Sequence, residues 1–69
     1  MDRLGRQLAY DELHRAQEAT QTARLAMARV AVMLRDSRHF DLAHACAEEA
    51  TVLLHQLAAL GSYVVPDRA

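Results

Sequence analysis

The sequence predicts an all-α protein, an antiparallel αα-hairpin of two helices of similar length. Apolar residues recur at alternating spacings of three and four in two stretches, and a short polar break separates those stretches. Because residues 35–38 make such a short break, the helices must be antiparallel neighbours. The chain has 69 residues, so one hairpin accounts for most of it.

The first helix is predicted over residues 11–35. Neither Gly nor Pro interrupts residues 6–38, so nothing in that range breaks a helix. Asp11 is expected to cap its first turn. The predicted packing positions follow a heptad pattern: Leu13, Ala16, Thr20, Ala23, Met27, Val30 and Leu34.

The second helix is predicted over residues 38–60. Asp36 or Ser37 is expected to cap it, and Gly61 is expected to end it in a left-handed conformation. Its predicted packing line is Phe40, Leu42, Ala43, Cys46, Ala50, Leu53, Leu57 and Leu60, with Ala47 and Leu54 on one side of the line.

The two ends of the chain are predicted to be separate short segments. Residues 1–10 are expected to form an arm or a short helix, because Gly5 lowers the helix propensity there. Residues 62–69 form a C-terminal tail in which Pro66 prevents further helix.

A second apolar surface is predicted on the first helix. Leu25, Ala28 and Val32 lie on the face opposite its packing line, where a helix in an isolated hairpin should be polar. A chain this short rarely stabilises itself with its own core, and the single Cys46 cannot form an internal disulfide. We therefore expect the hairpin to complete a helical bundle with itself or with a different chain. The expected protein-interface residues are Leu4, Leu8, Leu25, Ala28, Val32, Tyr63 and Val64.

No pattern in the sequence indicates a catalytic, cofactor-binding or metal site. Glu48 and Glu49 are adjacent and face different directions, so they cannot act as a carboxylate pair, and two glycines do not make a phosphate-binding loop. His44 and His55 are about 16 Å apart on a helix, too far to share a metal ion. The sequence predicts no enzyme and no cofactor. A metal-responsive protein using His39, His44, Cys46 or His55 is a minor alternative.

The net charge of −1 gives no general attraction for nucleic acid or for an anionic membrane. Arg24, Arg29, Arg35 and Arg38 gather near the predicted turn, so a small nucleic-acid-associated regulator is the alternative function. The sequence has neither an apolar run of membrane-spanning length nor a signal-peptide pattern at its start, and a cytoplasmic location is expected.

The order of segments resembles a known family. A short N-terminal segment with Leu4 and Leu8, a helix over 13–34, a break and a helix over 40–60 resemble the small helical-hairpin co-chaperones of type III secretion needle subunits. The resemblance implies a cytoplasmic protein that pairs with a repeat-type chaperone and keeps an aggregation-prone secreted subunit soluble. Together with the apolar surfaces, it favours a non-enzymatic interaction module, an adaptor or co-chaperone.

Overall fold

The computed structural model describes residues 2–64, which form an antiparallel pair of helices. Helix α1 comprises Arg3–Met33 and helix α2 comprises Phe40–Gly61. The predicted all-α hairpin is confirmed for these residues. The part of the predicted tail from residue 65 onward, including Pro66, lies outside the described residues, as does Met1.

Helix α1 begins at Arg3 and not near residue 11, so the predicted boundary between an arm and the first helix is wrong. A carboxylate oxygen of Asp2 accepts a hydrogen bond of 2.6 Å from the Gly5 amide. This bond satisfies one of the amides that have no acceptor in the first turn, and the negative charge suits the positive end of the helix dipole. Asp11 accepts a bond of 2.9 Å from the Gln7 side chain instead of capping a helix.

The turn between the helices is longer than predicted. It covers the residues between Met33 and Phe40, whereas the sequence predicted a break at 35–38. Ser37 organises its second half, because its hydroxyl accepts a bond from the His39 amide and its carbonyl accepts one from the Phe40 amide, both of 3.1 Å. The side chain of Ser37 thus satisfies an amide just ahead of α2, although His39 occupies the cap position.

Gly61 is the last residue of α2, and the prediction of a left-handed conformation there is wrong. No described residue has a positive φ, and Ser62 follows with φ −68° and ψ −20°. Gly61 instead lies against α1. A Cβ at this position would stand 3.5 Å from Cδ2 of Leu13 and 3.5 Å from Nε2 of Gln17, which is ordinary contact.

Helix α2 packs through Ala43, Ala50 and Leu57 as predicted, but the positions between and after them lie one residue later than predicted. Leu53 and Leu60 are exposed and Cys46 is only half-buried, so their predicted central positions are wrong. The positions that pack are Phe40, Ala43, Ala47, Ala50, Leu54, Leu57 and Gly61. The apolar arc of α2 is wide enough to contain both lines, and the smaller residues allow the helices to approach more closely.

Helix α1 keeps the predicted line in its first half and departs from it in the second. Ala23 and Val30 are exposed, whereas Arg24 is half-buried and Ala31 is buried. Each of these two packed residues follows the predicted position by one, and the observed line coincides with the predicted one at Thr20, Met27 and Leu34. The packed positions are Leu13, Ala16, Thr20, Arg24, Met27, Ala31 and Leu34.

Contacts between the helices fix their register. Nε2 of Gln17 donates a hydrogen bond of 3.2 Å to the carbonyl of Leu57, and Leu13 lies beside Gly61. The same register places Ala31 and Ala43, each 6% exposed, at one level near the turn. Residues 3–9 of α1 therefore extend beyond the end of α2.

Candidate protein-interaction surface

The hairpin buries little of its apolar surface. Within residues 2–64 only Ala31 and Ala43 are buried, and no large side chain is. The exposed large apolar side chains are Leu4, Leu8, Tyr10, Leu25, Val30, Val32, Met33, Leu42, Val52, Leu53, Leu60 and Tyr63. Apolar surface of this extent is typical of a contact with another molecule when it is contiguous.

Helix geometry sorts the exposed residues onto two sides of the hairpin. Both helices are right-handed, and they run in opposite directions. The residue directly after each packed position therefore lies on the same side of the hairpin in both helices. The structure agrees: His14 and Gln17 of α1 line one groove together with Ala58 and Ser62 of α2. Residues that precede a packed position by one lie on the opposite side.

The side formed by the preceding residues is mostly apolar, and we call it the leucine–alanine face. Helix α1 contributes Ala19, Ala23, Ala26, Val30 and Met33, and helix α2 contributes Leu42, Cys46, Leu53 and Leu60. The charged residues on this side are Glu12, Arg15 and Glu49, and Gln56 is a further polar residue there. Glu12 and Arg15 form an ion pair of 3.0 Å with each other, so the α1 part carries little net charge.

The side formed by the following residues is mostly polar, and we call it the histidine face. It contains His14, Gln17, Gln21, Leu25, Ala28, Val32 and Arg35 of α1 and Asp41, His44, Glu48, Thr51, His55 and Ala58 of α2. Nε2 of His44 lies 3.0 Å from Oε1 of Glu48, and its ring stacks on Phe40 at 5.6 Å between centroids.

The residues predicted to form a protein interface are divided between these regions. Leu25, Ala28 and Val32 are exposed, as expected, but they form a small apolar patch within the polar histidine face. Leu4 and Leu8 are exposed on the part of α1 that extends beyond α2. Tyr63 is exposed and Val64 is half-buried just after α2.

The larger apolar surface was not predicted, because its residues fit the pattern of a contact between the helices. Val30, Leu53 and Leu60 were predicted to face the other helix, and Leu42 was predicted to extend that line. The available signal was the width of the apolar arc on α2: Leu53 and Leu54 are adjacent, and two adjacent positions cannot both be central to one contact.

The four arginines that would bind nucleic acid under the alternative function do not form one surface. Arg24 is half-buried at a packed position, where its Nε donates a bond of 3.1 Å to Oε1 of Gln21. Arg29 is five residues later, about 140° around the helix from Arg24. Arg35 and Arg38 are exposed in the turn.

The part of the chain that the structure describes contains no group of three His, Cys, Asp or Glu side chains placed to hold a metal ion. Cys46 is a free, half-buried thiol on the leucine–alanine face. Neither α1 nor α2 is long and apolar enough to cross a membrane.

Comparison with known proteins does not assign the chain to a family. No protein-family model, no curated protein and no solved structure matches it. The function must therefore be inferred from the surfaces of the hairpin.

Proposed function

We propose that this chain is a non-enzymatic protein-interaction module, an adaptor or co-chaperone that buries apolar helix faces against another chain. The observation that carries the proposal is the contrast between its core and its surface. Two alanines are buried within residues 2–64, whereas valine and methionine of α1 and leucines of α2 lie exposed on one side.

The proposal also accounts for how so small a hairpin is stabilised. Domains shorter than about 70 residues usually need disulfides, a metal ion or another chain in addition to their own core. Cys46 is the single cysteine of the sequence, so no internal disulfide is available. Contact with another chain would bury the leucine–alanine face and add the missing apolar stabilisation.

The resemblance to needle-subunit co-chaperones remains part of this proposal, and with it a cytoplasmic location. In that case the apolar patch of Leu25, Ala28 and Val32 offers a second place of contact, because it lies on the histidine face and stays open when the leucine–alanine face is covered. A hairpin with two such surfaces can bridge two chains, as an adaptor does.

The test is the thermal unfolding of the purified chain at a series of protein concentrations. If folding depends on association, the midpoint rises with protein concentration, because mass action favours the folded complex. Helicity at low temperature falls on dilution for the same reason. A monomer that remains fully helical at every dilution, with one constant midpoint, would contradict the proposal.

A further inference from the structure

The leucine–alanine face has an internal asymmetry of size. Its α2 half carries three leucines, Leu42, Leu53 and Leu60, each at least 46% exposed, with Glu49 and Gln56 between them. The central part of its α1 half carries only small side chains, at Ala19, Ala23 and Ala26. One half therefore protrudes and the other is recessed along the same length of the hairpin.

A second copy of the chain can match this shape. Rotation by 180° about an axis parallel to the helices places the α2 of each copy over the α1 of the other. Since the register within the hairpin is kept, Leu53 of one copy lies at the level of Ala19 and Ala23 of the second copy, and Leu42 lies at the level of Val30 and Met33. Large side chains then fill the space beside small ones, as in knobs-into-holes packing.

The size of the face agrees with a dimer interface. Helix α2 has 22 residues. Over about 33 Å of length and across two helices of about 10 Å diameter, the face covers roughly 700 Å², close to the ~800 Å² that each partner buries in a stable complex. Its largely apolar composition is typical of homodimer interfaces.

The directions of the helices also favour this arrangement. In the rotated pair, every α1 has an antiparallel α2 as its neighbour, both in its own copy and in the second copy. This is the usual geometry of a four-helix bundle, in which neighbouring helix dipoles oppose each other. Both extensions over residues 3–9 then lie at the same end of the bundle, so that Leu4 and Leu8 of the two copies are near one another.

We propose that the occupant of the leucine–alanine face is a second copy of this chain, related by a two-fold axis parallel to the helices, with Leu53 packed on the partner's alanine stripe. This inference rests on the proposed function, because it names the chain that the interaction module binds. The dimer is a four-helix bundle whose histidine faces, with Leu25 and Val32, lie on its two outer sides.

The structure offers a matched pair of variants as a test. Leu53→Glu and Leu25→Glu replace the same residue type at similar exposure, 46% and 42%, on opposite sides of the hairpin. Measured by light scattering, the wild-type chain and Leu25→Glu should both have twice the 7.7 kDa of the monomer. Leu53→Glu should raise the dimer dissociation constant about 100-fold or more, because it removes the leucine that packs on the alanine stripe and adds two carboxylates to an interface that already contains Glu49 of each copy.

A second pair of variants tests the same face if Leu53→Glu fails to fold. Ala23→Gln and Ala28→Gln both introduce a good helix former at an exposed position of α1. Only Ala23→Gln fills the space that Leu53 of the second copy occupies, so it should weaken the dimer while Ala28→Gln leaves it intact.

The outcomes separate this inference from the proposed function. A dimer weakened by Leu25→Glu and not by Leu53→Glu would overturn the assigned face and leave an interaction module that uses the histidine face. A poorly helical monomer would overturn the second copy as occupant and favour a different partner chain. A fully helical, stable monomer would overturn both.

The direction of the two copies has its own test. Spin labels attached to Gln7→Cys in a Cys46→Ala background report the distance between the two N-terminal ends. Neighbouring helix axes are 8–10 Å apart, so the proposed arrangement places the two α1 axes about 14 Å apart and the labels within roughly 25 Å. If the second copy instead ran in the opposite direction, with the two turns at opposite ends of the bundle, the labelled positions would be separated by about 48 Å along the helices. That distance would refute the proposed arrangement.

Discussion

Ala31 is one of the two buried residues between the helices in the part of the chain that the structure describes, and enlarging it tests the observed packing line. Its side chain is 6% exposed, and Ala43 of the facing helix, at the same level, is 6% exposed as well. Ala31→Leu adds three carbon atoms to a contact that two alanines make. Overpacking of this kind costs about 1–3 kcal/mol, whereas Ala and Leu differ little in helix propensity.

The expected effect is large enough to measure by thermal unfolding. For a chain of this length each kcal/mol lowers the midpoint by about 4–8 °C, so Ala31→Leu should lower it by roughly 4–24 °C. Ala28→Leu is the matched control, because Ala28 is exposed on the same helix, and its midpoint should stay within a few degrees of the wild type. Equal midpoints for the two variants would refute the observed line and favour the predicted one through Val30.

Three further substitutions test other local features by chemical denaturation. Gly61→Ala should stabilise the hairpin by about 0.5–1 kcal/mol, because the glycine is helical and a Cβ there meets only ordinary contacts. A loss of stability would instead support the left-handed conformation that the sequence predicted. Asp2→Ala should cost about 0.5–2 kcal/mol and speed amide exchange at Gly5, and unchanged exchange would show that α1 starts later. Gln17→Ala should cost about 0.5–1.5 kcal/mol by removing the bond to the Leu57 carbonyl, and no change would place Gln17 outside the helix contact.

The existence and direction of both helices could be predicted from the sequence because each apolar pattern is long. The stretch from 13 to 34 has no helix breaker, and residues 35–38 contain too few residues for anything but a tight reversal. These are local properties of the chain. Periodicity therefore led directly to the hairpin.

The rotation of each helix could not be predicted from the same pattern. On α2 the lines through Leu53 and through Leu54 are almost equally apolar, and the choice between them depends on how closely the two backbones approach. The small residues Ala47 and Gly61 decide it, because they allow a closer approach than Cys46 and Leu60 of the predicted line would. That information belongs to the pair of helices and not to either one.

The start of α1 was missed for a different reason. Gly5 lowers helix propensity by about 1 kcal/mol, which favours a break between an N-terminal arm and the first helix. The Asp2 side chain offsets part of that cost through its bond to the Gly5 amide. A capping residue and a helix-weakening residue three positions apart act together, so the effect of Gly5 alone does not predict where α1 begins.

The claim that the leucine–alanine face is covered by another copy of the chain is tested most directly by the molar mass of the unmodified protein in solution, measured together with its helix signal. We predict a mass of twice 7.7 kDa at high concentration and a helix signal that decreases as the dimer dissociates on dilution. A mass of 7.7 kDa with a full helix signal at every concentration would contradict this claim. The hairpin would then be stable as a monomer with its leucines exposed to water.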